Sequence, residues 1–139
     1  GVELAAAITK RLDAINGIVI TLRQQLPDIL ARQKDLLVQR LGELREELDP
    51  TRLEQEIALL AQKADVDEEL DRLDAHVNEV ERVLTLSEPV GRRLDFLMQE
   101  LNREANTLSS KSVVAETTRQ AVELKVLIEQ MREQVQNIE

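Results

Sequence analysis

The sequence predicts an all-α protein, in which a long, kinked N-terminal helix is followed by an antiparallel helical bundle with coiled-coil-like packing. Apolar residues recur at steps of three and four over most of the 139 residues, which is the spacing of one face of an α-helix. Charged residues make up 32% of the chain, and only 3 Pro and 4 Gly interrupt it. Phe96 is the only Phe, Tyr or Trp. We therefore expect a core of Leu, Val, Ile and Ala, which suits the seam between packed helices.

The first predicted element is a helix over residues 4–48, which makes residues 1–48 a long helical arm. Pro27 lies inside it, and we expect a kink there because proline lacks a backbone donor and crowds the preceding turn. The apolar stripe stays nearly in phase across Pro27, which favours one kinked helix over two separate ones. A helix of this length, roughly 65 Å, must pack against another long helix or another subunit. The stripe consists of Ile8, Leu12, Ile15, Val19, Leu22, Leu26, Leu30, Leu37, Leu41, Leu44 and Leu48.

Residues 49–139 are predicted to form a C-terminal helical domain. Asp49 and Pro50 are typical of a helix start, as an N-cap and a first helical residue. The sequence of residues 65–68 predicts a capping box at the start of a third helix. The pattern leaves open whether the second and third helices are separate or joined at a bend.

Two further helices complete the predicted domain. A loop at residues 87–91 precedes a fourth helix over about 92–108, and residues 109–112 separate it from a fifth over about 113–137. These short connections favour antiparallel neighbours. The fifth helix shows apolar or small residues at alternating steps of four and three, namely Thr117, Ala121, Leu124, Ile128, Met131, Val135 and Ile138.

Composition excludes several kinds of protein and of site. The chain has no cysteine, which rules out disulfides and thiolate metal centres and fits a reducing, cytoplasmic compartment. His76 is the only histidine, so any metal must be held mainly by carboxylate oxygens, the ligands of Mg²⁺ or Mn²⁺. No apolar run is long enough to span a membrane. The net charge of −9 argues against nucleic acid unless a local basic site, a metal bridge or a further domain offsets it.

Four residues of the third helix form the first candidate site. Asp65, Glu69, Arg72 and His76 fall on one strip that borders the apolar face. A carboxylate, a cation and an imidazole in a row could bind a metal, hold a phosphate and move a proton. The alternative interpretation is an ordinary helix surface, on which a histidine has ion-pair neighbours one turn away.

The fourth helix carries a strip of amides beside its apolar face. Asp95 is followed on this strip by Gln99, Asn102 and Asn106. Asn is a poor helix former, so two of them in one helical strip suggest amides that bind a ligand or another helix. A buried polar network between helices explains the strip equally well.

The same region also contains a basic set, which consists of Arg92, Arg93, Arg103 and Lys111. Acidic neighbours offset this set, so a surface of ion pairs is the plainer interpretation. Because Phe96 is the only aromatic residue nearby, stacking on bases is not expected. If RNA binds, its backbone and shape are the features recognised.

Several ordered strings resemble the YicC family of endoribonucleases. They comprise residues 52–63, 68–76 and 123–139, and above all residues 91–108, which read GRRLDFLMQELNREANTL. The resemblance is close from about residue 49 onward, whereas the first helix is similar mainly in pattern. It implies a bacterial cytosolic endoribonuclease that depends on a divalent cation, Mn²⁺ or Mg²⁺, and acts on RNA as a ring-like homo-oligomer, possibly a hexamer. It also implies that this part is a C-terminal half, and nothing in the sequence matches the family's N-terminal domain.

Together, the family strings and the helical geometry predict a site for metal-assisted cleavage of RNA phosphodiester bonds. We expect metal ligands at Glu69, Glu100 and Glu104, and proton transfer by His76. The alternative is a non-catalytic helical module that serves oligomerisation within a larger protein. The predicted catalytic residues are Glu69, His76, Glu100 and Glu104, and the predicted RNA- or phosphate-binding residues are Arg72, Arg92, Arg93, Gln99, Asn102, Arg103, Asn106 and Lys111.

Overall fold

A computed structural model describes residues 2–43 and 49–137, and these residues form helices and connections but no strand. The all-α prediction is therefore confirmed for the described part of the chain. The second and third helices are separate elements. The helices are α1 (Val2–Glu43), α2 (Pro50–Ala64), α3 (Asp67–Leu84), α4 (Gly91–Lys111) and α5 (Ala115–Gln136).

The first half of α1 packs with α3, α4 and α5 in an antiparallel four-helix bundle. The direction of α1 against α5 follows from two side-chain contacts. Arg11 near the start of α1 donates to Gln130 near the end of α5, and Gln120 near the start of α5 donates to Gln25 of α1. Short connections make α3, α4 and α5 antiparallel in turn, as the sequence predicts.

One continuous core fills the bundle, and it contains no aromatic residue. The predicted stripe of α5 is confirmed from Thr117 to Val135, while Ile138 lies outside the described residues. The division of the chain at residues 48 and 49 stays a prediction, although the first half of α1 shares this core with the later helices. The core residues include Ile8, Leu12, Ile15, Val19, Leu22, Leu70, Leu73, Val77, Val80, Leu94, Met98, Leu101, Leu124, Ile128 and Met131.

α1 continues through Pro27 without a break, as the in-phase stripe predicts. Its last buried residue is Ile29, and the predicted stripe residues Leu30, Leu37 and Leu41 are only half-buried. Around Leu37, α1 faces α2: residues of these two helices line one groove, and residues of the four-helix bundle do not line it. The predicted stripe residues Leu44 and Leu48 lie outside the described residues.

α2 lies against the second half of α1. Asp49 caps α2 by accepting a hydrogen bond from the backbone N–H of Thr51 at 3.1 Å, and Pro50 begins the helix as predicted. None of the residues of α2 is buried. We refer to residues 30–43 of α1 together with α2 as the α1–α2 hairpin.

The capping box predicted at residues 65–68 is not formed, because the N-cap of α3 is Val66, which makes no side-chain cap hydrogen bond. The Asp65 side chain accepts a hydrogen bond from the backbone N–H of Asp67 at 3.2 Å. The reciprocal bond of a capping box would use the backbone N–H of Asp65, but that group donates to the carbonyl oxygen of Gln62 at the end of α2. The short connection between α2 and α3 uses this donor, so the capping-box prediction is wrong.

α4 is one turn longer than the sequence predicts. Ser109 and Ser110 lie inside it, and Ser112 is the C-cap residue at which it ends. Ser110 binds the carbonyl of Thr107 at 2.9 Å, and Ser112 binds that of Leu108 at 2.8 Å. Lys111 consequently belongs to the last turn of α4 and lies on the side of the helix that faces α3.

Candidate functional site

Polar side chains from one edge of α3 and one edge of α4 meet along the line where these helices pack. On α3, Glu69, Arg72 and His76 follow at steps of three and four, so they share one side of the helix. On α4, Glu104 and Lys111 are seven residues apart and also share a side. Because the helices are antiparallel, Arg72 lies opposite Glu104, and Glu69 lies opposite Lys111. We call Glu69, Arg72, Glu104 and Lys111 the α3–α4 ion row.

Arg72 joins carboxylates from both helices. Its Nε–H donates to Glu104, with both carboxylate oxygens at 2.9 Å. Its two terminal nitrogens lie 3.6 Å from oxygens of Glu68 and Glu69, which is longer than a hydrogen bond. The hydrogen bond to Glu104 raises the pKa of the Arg72 guanidinium above its ordinary value, so the group stays charged. The side chain is 47% exposed, so solvent reaches a guanidinium whose terminal donors are not fully used.

The two carboxylates of the row are buried. Glu69 and Glu104 are each 4% exposed, and a buried carboxylate is tolerated only when cations and hydrogen-bond donors compensate it. Lys111 compensates the charge of Glu69 and donates a hydrogen bond to its Oε1 at 2.8 Å. Lys111 also donates to the main-chain oxygen of Asp65 at 3.2 Å. Oε2 of Glu69 is buried and accepts no hydrogen bond from the described residues. The row therefore holds one free carboxylate oxygen beside two cations.

A second ionic cluster lies further along the same two helices. Glu79 of α3 accepts hydrogen bonds from Arg82 at 2.6 and 3.0 Å, and from Arg93 of α4 at 2.7 Å. Both arginines are about half-exposed. The pKa of Glu79 is lowered to about 2, mainly by the hydrogen bond from Arg82. The charge of Arg82 and the contact with Arg93 lower it as well.

This lowered pKa predicts a contribution of Glu79 to acid resistance. The folded state binds the Glu79 proton less tightly than the unfolded chain, in which the pKa is about 4.5. The stabilisation is therefore present above about pH 4.5 and is lost as the pH falls from there toward 2. We expect Glu79→Gln to lower Tm at pH 6–7 and to match the wild type near pH 2. Thermal melts over this pH range measure the difference, with Glu123→Gln on the exposed face of α5 as the matched control. A Tm difference that is independent of pH would contradict the assignment.

The predicted amide strip lies on another side of α4. Asn102 is two residues from Glu104, which places it about 160° away around the helix axis. Asn102 and Asn106 are exposed, and Gln99 donates to Asp95 on the same helix at 3.4 Å. Asp95 in turn lies 3.9 Å from Arg132 of α5. The amides thus lie toward α5 and solvent, and the structure does not bring them together with the α3–α4 ion row.

The remaining predicted residues lie at the margins of the row. His76 is half-buried and one turn beyond Arg72 on α3. Glu100 is one turn from Glu104 on α4. A guanidinium nitrogen of Arg103 lies 3.4 Å from a carboxylate oxygen of Glu100. Arg92 is exposed at the start of α4, about 100° around the helix from Arg93. The catalytic and binding roles given to these residues stay predictions.

The predicted carboxylate ligands do not form a metal site made of protein groups alone. Within residues 2–43 and 49–137, no three His, Asp or Glu side chains come together in an arrangement that could hold an ion. Arg72 and Lys111 already neutralise Glu69 and Glu104. A divalent ion could be held here only if water or a phosphate supplied most of its ligands, which is how Mg²⁺ is often bound.

Sequence analysis did not predict that Glu79 and Arg82 form an ionic cluster with Arg93. A signal was available, because Glu79 is three residues beyond His76 and seven beyond Arg72, which places it on the same strip of α3. Sequence analysis also did not predict that Lys111 pairs with Glu69. That pairing depends on the extra turn of α4 and on the alignment of the two helices, neither of which the apolar pattern specifies.

No helix in the described part of the chain is both long enough and apolar enough to cross a bilayer.

Comparison with known proteins gives a consistent set of matches. The family described as "Endoribonuclease YicC-like, C-terminal" matches residues 22–139. A "Probable endoribonuclease YicC" of Haemophilus influenzae is 55% identical over 139 residues, which cover 100% of this chain and 48% of that protein. A protein of the same name from Clostridioides difficile is 34% identical over 142 residues, with 100% and 48% covered. The chain therefore spans about half the length of these relatives.

Proposed function

Because this chain belongs to the YicC-like endoribonuclease family, whose C-terminal region its residues 22–139 match, we propose that it takes part in endonucleolytic cleavage of RNA. We further propose that the α3–α4 ion row is where the RNA backbone binds. The relatives are named as endoribonucleases at about twice this length. The activity of the isolated chain is accordingly part of the proposal.

The arrangement of Arg72 is the observation that carries the proposal. Its Nε–H is fixed by a buried carboxylate of α4, which orients the guanidinium and limits the rotamers that it can adopt. Its terminal nitrogens have only long contacts with Glu68 and Glu69, so they can donate to a phosphate without first breaking a strong bond. Lys111 adds a second cation, about one-third exposed, in the same row. These two groups are the cations of the row, and Glu69 and Glu104 balance their charge, so a phosphate would bind through directed donors rather than through a net positive charge.

The residues of this site can be given roles in phosphodiester cleavage. Arg72 and Lys111 would bind the phosphate oxygens and offset the negative charge that grows on them in the transition state. His76, one turn from Arg72, would accept or deliver a proton during cleavage. Arg93 and Arg103, both exposed on α4, would hold the flanking backbone. Because Phe96 is the only aromatic side chain nearby, recognition would depend on the backbone rather than on base stacking.

Dependence on a divalent cation, Mn²⁺ or Mg²⁺, is part of the proposal. Glu69 and Glu104 would hold the ion, Glu100 would support it from the next turn, and the phosphate and water would complete its ligands. The free Oε2 of Glu69 favours this arrangement, since a buried carboxylate oxygen without a donor is a strong acceptor for a cation. The ion would supply Lewis-acid charge against the phosphate. Self-association and a cytoplasmic location complete the proposal, and a chain without cysteine fits that location.

Cleavage assays on a full-length chimera test this function. The chimera is the Haemophilus influenzae relative in which the matching half is replaced by this chain. We expect Glu104→Gln and Glu69→Gln each to slow Mn²⁺-dependent cleavage of an RNA oligonucleotide by about a hundredfold or more, because both remove a carboxylate charge from the site. Glu123→Gln, on the exposed face of α5, should leave the rate unchanged. Undiminished cleavage by both site variants would refute the assignment.

A second candidate function is supported by the α1–α2 hairpin. α2 has no buried residue although it carries several leucines, which is typical of a helix whose partner lies in another molecule. On this alternative the chain is a non-catalytic oligomerisation module and the chemistry belongs to another part of a longer protein. Light scattering combined with RNA titration, with and without Mg²⁺, separates the two candidates. Assembly without metal-dependent RNA binding favours the module.

A further inference from the structure

The ionic cluster of Glu79, Arg82 and Arg93 carries more positive than negative charge. One carboxylate faces two guanidinium groups, and within residues 2–43 and 49–137 no second carboxylate forms an ion pair with either arginine. The α3–α4 ion row, by contrast, has two carboxylates for its two cations. Of these two ionic groups on the packing line of α3 and α4, only the cluster therefore has an excess of positive charge.

Glu79 orients both arginines and leaves part of each guanidinium unused. Its carboxylate accepts hydrogen bonds from Nε and Nη2 of Arg82 and from Nη2 of Arg93. The other guanidinium nitrogens, Nη1 of Arg82 and both Nε and Nη1 of Arg93, donate to no group in the described part of the chain. Both side chains are about half-exposed. The cluster thus presents oriented, charged donors that solvent can reach, which is the arrangement that binds a phosphate group.

The cluster continues the α3–α4 ion row along the same edges of both helices. On α3, Glu79 is seven residues from Arg72, which is two turns and roughly 10 Å along the axis. On α4, Arg93 is eleven residues from Glu104, which is about three turns and returns to the same side of the helix. His76 lies between the two groups, one turn from Arg72 and one turn from Glu79. An extended strand that lies along this line meets the row, then the histidine, then the cluster.

We propose that the cluster of Glu79, Arg82 and Arg93 is a second phosphate-binding subsite, which holds an RNA phosphate that flanks the one bound at the α3–α4 ion row. A single strand follows the packing line of α3 and α4 and is anchored at both groups. Two anchors fix the path of the strand past His76, whereas one phosphate contact leaves the strand free to rotate. The inference rests on the proposed function and deepens it, because it adds Arg82 to the binding residues and gives the direction in which the strand runs along the helices.

Fluorescence anisotropy of a labelled single-stranded RNA of about ten nucleotides tests this subsite in the 139-residue chain. Sodium chloride is varied at fixed Mg²⁺. We expect Arg82→Gln to raise the dissociation constant about fivefold and to reduce the slope of log K against log salt by about 0.7, which corresponds to one lost phosphate contact. Arg82→Lys keeps the charge and should therefore keep the salt dependence of the wild type.

Arg132→Gln is the matched control. Arg132 is also about half-exposed, but it lies on α5 and its ion-pair contacts with Asp95 and Glu129 are long, at 3.9 Å. This variant should bind RNA as the wild type does. Far-UV circular dichroism of each variant establishes that it is folded. A loss of affinity in Arg132→Gln equal to that in Arg82→Gln, or a reduced salt slope in Arg82→Lys, would overturn the inference, because the effect would then not come from a phosphate contact at the cluster.

Arg72→Met separates this inference from the proposed function. If Arg72→Met weakens RNA binding and Arg82→Gln does not, the second subsite is wrong and the α3–α4 ion row stands. If neither variant weakens binding, or if the wild type binds no RNA, the assignment of the row fails and the subsite fails with it. Weaker binding in both variants, with the loss in Arg82→Gln diminishing as salt is raised, is the result that we expect.

Discussion

Replacing Arg72 by Met is expected to lower Tm by roughly 5 °C at neutral pH, a large effect for a half-exposed residue. Glu104 is buried and receives its hydrogen bonds from Arg72, so the variant leaves a buried carboxylate without a donor. An unsatisfied buried charge is among the more destabilising changes that one substitution can produce. Thermal melts monitored by circular dichroism measure the shift.

Two further variants make this prediction specific. Arg103→Met removes an arginine whose contact with Glu100 is long, at 3.4 Å, and whose side chain is mostly exposed, so it should change Tm little. The double variant Arg72→Met with Glu104→Met removes both partners of the buried pair and should recover most of the lost stability, because an apolar pair can replace a buried ion pair. Equal Tm losses for Arg72→Met and Arg103→Met would contradict the importance given to Glu104 burial.

Replacing Leu101 by Ala is expected to lower the free energy of unfolding by about 3 kcal/mol. Leu101 is fully buried near the middle of α4, where the core residues of the bundle meet. The surrounding residues are aliphatic and belong to helices fixed by many other contacts, so the site cannot collapse fully around the smaller side chain. The loss therefore includes a cavity cost in addition to the lost transfer free energy. Urea denaturation followed by circular dichroism measures it.

Phe96→Ala is the matched control on the same helix. Phe96 is a larger apolar residue than Leu101, but it is 57% exposed. If burial in the bundle determines stability, Phe96→Ala should cost less than about 1 kcal/mol despite removing more atoms. A larger loss for Phe96→Ala than for Leu101→Ala would mean that the four-helix core is assigned to the wrong face of α4.

Much of the fold could be predicted from apolar spacing, because each bundle helix buries one stripe. On α4, Leu94, Leu97, Met98 and Leu101 are spaced by three and four residues, and all four are buried. The spacing failed where a helix leaves the bundle. Leu37 has the right period to be a core residue, but it is half-buried and lines a groove with residues of α2. Periodicity shows which side of a helix is apolar, whereas burial depends on how many neighbours that side meets.

The candidate site could be predicted only in part. Strip geometry placed Glu69, Arg72 and His76 together on α3, because that depends on one helix alone. The pairing of Arg72 with Glu104 depends on the alignment of two helices across a six-residue connection, for which the sequence has no local signal. For the same reason, the sequence could not predict what the amide strip of α4 faces. The strip pattern predicts a ligand or another helix at Asn102, but Asn102 is exposed on the side of α4 about 160° from Glu104.

The central claim, that RNA phosphate binds at the α3–α4 ion row, is tested most directly by NMR. The ¹⁵N-labelled chain is titrated with a short single-stranded RNA in the presence of Mg²⁺. We expect the Arg72 Nε–H signal and the backbone amides around Lys111 and Glu104 to shift first, and the shifts to weaken with added salt. The α1–α2 hairpin should be unaffected at constant protein concentration. Shifts confined to the hairpin or to the Asn102 side of α4, or binding that is equally tight in Arg72→Met, would contradict the account.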